Sequence, residues 1–491
     1  MSTGGLYQLI TNTGAQDRII MATELLNKRL KEIKRIRCKN PAIKDKTPTL
    51  VDIERTHILF MNAHFKPFVA IGYEYQSIDV NEGTARLGGR ITFSIPQFGD
   101  FFHDMVLQLR LNNLTPGVGA TQARYCEFLG HRLLKRTEFE VNGNVLDYYD
   151  SDLYNFHYNF YITPNKRNSW LNCVGQEYPK PGSLTNNPGV DNYREAKFFL
   201  DGPQTPKTSH PSVEVWMPLL FWFNKDSRLM IPSVSIPYGQ RFIRFILATA
   251  NEICEASPAN NFNAPVVSVA RLWINNIFVN PEIHDIFIKR IGFQMIRVHR
   301  YQITPLTSNF DQIKLDQLKW PVETLYLGAK PDINLGTMED WWRFSDVTNN
   351  LVPCPVVIPF APPPPLYAVA VGFAKYKNME PIINTFRLET HGIQLYTTNT
   401  FRFFNYYIPY NYGSEMITSP SDPGVAMVTF NLFPGSYQPS GHINLSVTRE
   451  FYFIYQSAYL SVINTATLVV YAICINFLLV AEGTAALRYN V

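Results

Sequence analysis

Thr137-Glu-Phe-Glu-Val141, followed by Asn142-Gly143 and Asn144-Val145, carries the reading that decides the fold. The run to Val141 has the period of two that sends alternate side chains to opposite faces of a strand. Asn142-Gly143 then supplies the two residues that tolerate the positive φ angles of a tight hairpin turn. Working outward, similar runs recur on both sides, broken by Gly, Pro, Asn and Asp. They include Arg90–Ile95, Val106–Leu111, Glu214–Phe223 and Arg241–Ala248. Further along come Val266–Ile274, Ile277–Val279, Val425–Phe433, Ile443–Leu445, Glu450–Tyr455 and Thr467–Phe477. From about residue 50 onward the chain reads as all-β.

A chain of 491 residues exceeds what one hydrophobic core organises. The stretch 249–265 (TANEICEASPANNFNAP) breaks the strand pattern and separates two halves of similar size. The expected organisation is an N-terminal arm at 1–50, a first β unit at 51–255 and a second at 256–491. Each half holds one Pro-rich excursion, at 163–212 and at 353–365, the latter with seven prolines in thirteen residues. Both read as surface loops. Two consecutive β units of this size fit paired sandwiches, jelly rolls among them, though pattern alone does not separate a jelly roll from other sandwiches.

Aromatic residues are 14% of the chain, while charged residues are 17%, below the roughly 25% usual in soluble domains. Such a surface suits burial against partners; an aromatic-rich β protein gives the same composition. The net charge is +4. Residues 1–46 hold ten Lys/Arg against four Asp/Glu, a net of +6, which leaves about −2 for the rest. The chain is therefore not a generally basic nucleic-acid binder, and no direct nucleic-acid contact is expected. Within the basic segment, residues 17–37 read as a helix. Leu26, Leu30, Ile33 and Ile36 fall on one face, and Lys28, Arg29, Lys31, Lys34, Arg35 and Arg37 crowd the others. Such a helix either meets an anionic membrane or an acidic internal protein, or docks on its own domain with a solvated basic side.

Cys38, Cys126, Cys173, Cys254, Cys354 and Cys474 are scattered and form no CxxC pair, so zinc and redox motifs are unsupported. No signal peptide is read at the start, and the sequons at Asn113 and Asn444 are read as ordinary residues. Ala466–Ala481 is the most apolar run, but its 16 residues fall short of the roughly 20 a membrane helix needs. A buried strand pair is the better reading.

Enzyme signatures are not found: there is no GxxxxGK[ST] loop, HExxH helix, GxSxG elbow or HxH pair. His103-Asp104 is the most enzyme-like string, but neighbours on a strand point to opposite faces. Trp341-Trp342 is either a loop anchor or a sugar-stacking platform. A glycan-binding sandwich and a metal enzyme on a jelly roll are the rival functions.

Longer strings are more specific. Gly4-Gly-Leu-Tyr-Gln-Leu-Ile10, Asn62-Ala-His-Phe-Lys-Pro67, Ile95-Pro-Gln-Phe-Gly-Asp-Phe-Phe-His-Asp-Met105 and Gly202-Pro-Gln-Thr-Pro-Lys207 stand in the first half. Phe221-Trp-Phe-Asn224, Ile231-Pro-Ser-Val-Ser-Ile-Pro237, Leu318-Lys-Trp-Pro321, Tyr437-Gln-Pro-Ser-Gly-His-Ile-Asn444 and Ile475-Asn-Phe-Leu-Leu479 come after them. In this order, over nearly the whole chain, they resemble the asfarvirus-type major capsid proteins of nucleocytoplasmic large DNA viruses (the African swine fever virus hexon protein family). The resemblance implies a double jelly roll, two eight-stranded β-sandwiches side by side, with an N-terminal amphipathic helical arm. It implies a homotrimeric, pseudo-hexagonal capsomer that tiles an icosahedral shell over an inner membrane. Partners would be the chain itself, neighbouring capsomers, a penton protein, and minor capsid proteins or the inner membrane through residues 17–46. The place would be the virion capsid, assembled in host cytoplasm, with no cofactor and no catalytic site. The excursions at 163–212 and 353–365 would belong to an outer crown. The connection 112–123 and the cluster 163–212 are shorter than in the swine fever protein, so a lower crown is expected.

Overall fold

The Asn142-Gly143 turn takes the conformation its residues favour, with φ of 51° and 81°. It joins two strands that pair antiparallel, Val141 opposite Asn144 and Arg136 opposite Asp150. The computed structural model describes residues 15–38, 71–176, 204, 206–233, 235–236, 241–280, 293–359, 367–413, 416–448, 450–481 and 484–489.

Among the described residues, the two main sheets of the first unit use β1 (Ile71–Asp79), β2 (Arg90–Ser94), β3 (Phe101–Leu111), β4 (Leu134–Val141), β5 (Asn144–Asp150), β6 (Val213–Pro218), β7 (Arg241–Leu247) and β8 (Val267–Val279). One sheet runs β1-β8-β3-β6, with a short pairing of Ile231–Pro232 on β3; the other runs β2-β7-β4-β5. Phe93, Phe139 and Phe245 of one sheet and Phe102, Leu107 and Leu109 of the other are fully buried. Phe102 meets Phe139 across the gap, edge to face, with centroids 6.4 Å apart. Each such side chain contributes about 1.5–3 kcal/mol when removed from water, which is what holds the sheets face to face.

The second unit repeats this plan with β9 (Phe293–Leu306), β10 (Phe310–Lys314), β11 (Pro321–Pro331), β12 (Thr385–Thr390), β13 (Ile393–Thr400), β14 (Val425–Thr429), β15 (Phe451–Gln456) and β16 (Ala466–Ala481). The sheets run β9-β16-β11-β14 and β10-β15-β12-β13. This is the order of the first unit with every number raised by eight. Tyr396 of β13 spans the gap, its hydroxyl donating to the Thr429 carbonyl of β14 at 2.7 Å.

The pairing corrects the expected boundary at 255/256. β8, which the sequence reading placed in the second unit, bonds to β1 from Ile71↔Val279 to Asp79↔Arg271 and to β3 beyond it. The chain therefore leaves the first sandwich after Val279, and 249–265 is the connection into its last strand. Ala466–Ala481 is one strand rather than a pair, central in its sheet between β9 and β11. No described helix is long and apolar enough to cross a membrane. Pro353–Pro359 is not loop: Ser345–Pro359 and Tyr367–Pro381 form a long antiparallel ribbon. Pro353, Pro355 and Pro359 share the parity of their positions, so their missing N–H groups fall on one side of the ladder, the only arrangement a two-stranded ribbon accepts without losing bonds. In 163–212, Pro164–Cys173 is helical, and 177–203 lies outside the described residues.

Strand direction sorts the connections. Asp79, Leu111, Val213 and Val267 lie at one end of the first sandwich, since Leu111 faces both Val213 and Val267. Leu306, Pro331 and Ala466 lie together at the matching end of the second. The long excursions, 112–133, 151–212, 332–384 and 401–424, all spring from these ends. The opposite end has the two-residue turns 142–143 and 391–392.

Candidate assembly surfaces

Two helices contribute to the assembly surfaces: α1 (Ala15–Cys38) and α2 (Ser151–Phe160), the latter directly after β5. Asp150 caps α2, its side chain accepting from Asp152 N at 3.0 Å.

The first surface is the seam between the sandwiches. Strand β5 and helix α2 lie against the outer face of the sheet β9-β16-β11. Asp147 of β5 is fully buried there. Its Oδ1 accepts from His299 N at 2.9 Å, and its Oδ2 lies 2.9 Å from His299 Nδ1. Lys225 donates to His299 Nε2 at 3.3 Å. The imidazole therefore sits as a neutral ring, Nδ1–H toward the carboxylate and Nε2 toward the ammonium. Burial lowers the His299 pKa, an effect that Asp147 opposes and Lys225 reinforces. Burial likewise brings the Lys225 ammonium down to about 8, although the residue as a whole is exposed. Next along the seam, Asp150 accepts from the Tyr471 hydroxyl and Asp152 pairs with Lys330. Burial, then the neighbouring Asp152, pushes Asp150 up to about 8.

Aromatic packing fills the rest. Phe156 lies 4.7 Å from Phe344 and Phe160 4.8 Å from Tyr326, while the Tyr161 and Tyr326 hydroxyls are 2.7 Å apart. The ring contacts supply attraction. The buried ions add little net stability but are costly to unpair, so they specify register. Above the seam the excursions interlock. Trp341 is 3% exposed, its Nε1 donating to the Glu127 carbonyl at 2.6 Å, and Arg124 pairs with Glu339 at 2.7 Å. Trp341-Trp342 is thus a buried anchor, and the sugar-platform reading is set aside. Asp422, in a turn, accepts from Phe344 N and Gly424 N, each at 2.8 Å.

The second surface is α1. Lys28, Arg29, Lys31 and Arg35 are exposed and Lys34 is half-buried; the Arg37 side chain lies outside the described residues. Leu25, Leu26, Leu30 and Ile33 are also exposed, so the apolar stripe is not docked on either sandwich. His103-Asp104 forms no dyad: Asp104 accepts from Tyr75 and Asn224, at 2.8 and 3.0 Å. Sequence reading missed the roles of Lys225, Asp147 and His299. The available signal was an ionisable pair inside runs otherwise fit for strands.

Two sandwiches of one repeated topology, locked by a buried seam and carrying long excursions at a common end, define a viral double jelly-roll capsid protein, and the comparisons agree. Families described as major capsid protein N-terminus and large eukaryotic DNA virus major capsid protein match residues 71–280 and 278–486. The hexon protein p72 of African swine fever virus (isolate Tick/Malawi/Lil 20-1/1983) is 33% identical over an alignment of 646 positions covering all of both chains. The Faustovirus major capsid protein superposes with a TM-score of 0.78 at 34% identity, over 95% of this chain and 100% of that one. The PBCV-1 virus capsid protein shares the fold, with a TM-score of 0.64 at 17% identity, over 88% of this chain and 100% of the other. The chain belongs to the large eukaryotic DNA virus major capsid protein family, on its asfarvirus-like branch, a family of virion shell components and not of enzymes.

Proposed function

We propose that this chain works as a homotrimer, six eight-stranded sandwiches forming a pseudo-hexagonal capsomer that tiles an icosahedral shell. The observation that carries the reading is the seam: it fixes two sandwiches of like topology side by side, and a ring of six such units needs three chains. The long excursions would form the outer crown. Helix α1, with Lys28, Arg29, Lys31, Lys34, Arg35 and Arg37, would meet the inner membrane or acidic minor capsid proteins as an N-terminal arm, since basic and apolar groups side by side suit an anionic interface. Neighbouring capsomers and a penton protein complete the partner set, with assembly in host cytoplasm.

Light scattering on the purified chain tests the trimer. A mass of three chains, stable on dilution, is expected; one folded chain at every concentration would overturn it. For the arm, sedimentation with vesicles containing anionic lipid should fall at least tenfold when the six basic residues become Gln. Equal binding by the variant would remove the electrostatic role.

A further inference from the structure

Arg241 stands first in β7, at the end of the first sandwich that bears the 142–143 turn, and lies opposite Val141 there. Alternation along β7 buries Arg241, Ile243, Phe245 and Leu247 on one face, so the guanidinium belongs to the end of the hydrophobic core. The repeat shows which residue the fold accepts at this place. Phe451 opens β15 and lies opposite Thr390, just before the 391–392 turn. Its carbonyl accepts from Leu315 N as that of Arg241 accepts from Ile95 N, each at 2.8 Å. One sandwich thus closes the foot of its core with a phenyl ring and the other with a cation.

That cation is unanswered. Arg241 is 3% exposed, and neither its Nε nor its Nη1 has a hydrogen-bond partner. Burial alone acts on its pKa, lowering it to about 10; a carboxylate beside it would act the other way, and none pairs with it among the described residues. Its Cζ lies 5.4 Å from the centroid of the Phe102 ring, a face that eases the charge but leaves the guanidinium fork unused. Other cations buried as deeply are served: Lys330 pairs with Asp152, and Arg300 donates to the His299 carbonyl at 2.7 Å. A second idle donor comes from the opposite sheet. Ile231 lies opposite Phe102 on β3, and alternation returns Ser233 to the same inner face. Ser233 is fully buried and its Oγ has no partner either. A buried charge and a buried hydroxyl, both unpaired, are costly in a core unless something occupies them.

We propose that the foot of the first sandwich is an oxyanion site, in which Arg241 and Ser233 hold one ion of the phosphate class, free or at the end of an ester. The guanidinium gives parallel N–H groups to two oxygens, and the Ser233 hydroxyl serves a third. Donors arriving from two sheets suit a tetrahedral ion better than a flat carboxylate. The ion would tie β7 to the β3 side of the core where apolar contact ends, as Phe451 does in the second sandwich.

Isothermal titration of the full-length chain with inorganic phosphate, in phosphate-free buffer at constant ionic strength, should show one ion per chain. Arg241→Leu, an apolar residue like that of the repeat, should weaken this binding about tenfold or more, the loss of a charge-assisted pair. Ser233→Ala, which removes only a hydroxyl, should weaken it about threefold in a chain that melts as the wild type does. Thermal melts separate a site from a structural cation. Without phosphate, Arg241→Leu should melt at or above the wild-type temperature, because an unpaired charge is gone. Millimolar phosphate should then raise the melting temperature of the wild type and leave that of Arg241→Leu unchanged. Glycerol 3-phosphate distinguishes the sources: binding comparable to phosphate supports an esterified group such as a lipid headgroup presents, and much weaker binding supports the free ion. No phosphate binding by the wild type, equal binding by Arg241→Leu, or acetate binding as tight as phosphate would each overturn the proposal.

Discussion

Replacing Asp147 by Ala should unlock the seam, at a cost that the geometry sets. The substitution leaves His299 N and Nδ1 without their acceptor in a site where Asp147 is 0% and His299 1% exposed. Each unsatisfied buried donor costs about 1–3 kcal/mol. The nearby Lys225 ammonium, 3.3 Å from His299 Nε2, also loses the opposite charge of Asp147. Together these give about 3–5 kcal/mol, the range found when one partner of a buried pair is removed. Asp147→Asn is gentler. Its carbonyl still accepts from His299 N and Tyr148 N, now 2.9 and 3.0 Å from Oδ1. Its amide, however, turns a donor toward Nδ1 and forces the other tautomer, which sets Nε2–H against the ammonium. About 1–2 kcal/mol is expected for that variant. Urea unfolding at pH 7 and one fixed protein concentration, followed by tryptophan fluorescence and circular dichroism, reads both, since assembly shifts apparent stability by mass action. An Ala variant within about 1 kcal/mol of wild type, or an Asn variant as damaging as Ala, would refute the assignment of the seam to this hydrogen-bonded pair.

Three other outcomes are expected. His131 accepts from Trp170 Nε1 at 3.1 Å and pairs with Asn155 at 3.0 Å, and burial lowers its pKa to about 3. Its folded pKa lies below the unfolded 6.5, so the unfolded chain binds the extra proton, and stability falls as pH drops from 6.5 toward 3 by about 1.4 kcal/mol per unit. Thermal melts from pH 7 to pH 4 should show this contribution beside those of His157 and His299, whose pKa values burial also lowers, and His131→Gln should reduce the slope by about 1.4 kcal/mol per unit; an unchanged slope would exclude His131 as a source. Gly424→Ala would drive a methyl into the Phe344 carbonyl and the Ser345 amide, so a loss of about 3 kcal/mol or more is expected as overpacking against backbone, and a neutral melting temperature would show that the Asp422 turn yields. Trp341→Ala removes a buried anchor between the two excursions and should cost about 3–5 kcal/mol in urea; a change below about 1 kcal/mol would place the interlock elsewhere.

Much of the fold was legible from the sequence because it is local. Alternation in Arg90–Ser94 and Arg241–Leu247 arises because each strand has one face in a core. The Asn142-Gly143 hairpin arises from which residues accept positive φ. The family strings carried the double jelly roll and the capsid role. What local pattern misplaced was the border between the units. The composition break at 249–265 marks exposed chain, and exposure does not say which sheet the next strand joins. That was decided by β8 bonding to β1, with Arg271 reaching Asp79 192 residues earlier at 3.1 Å.

The candidate sites divide the same way. The basic face of α1 was visible because charge and helical period are properties of one segment. The seam was not, because Asp147, opposite Phe139 on the edge strand β5, and His299, on the outer face of β9, lie in different sandwiches and no local pattern pairs them. They meet 152 residues apart along the chain. The sequence by itself determined the strands, their turns and the family. Tertiary structure alone decided which polar faces are wet, because burial depends on what lies across from a surface and not on the residues within it.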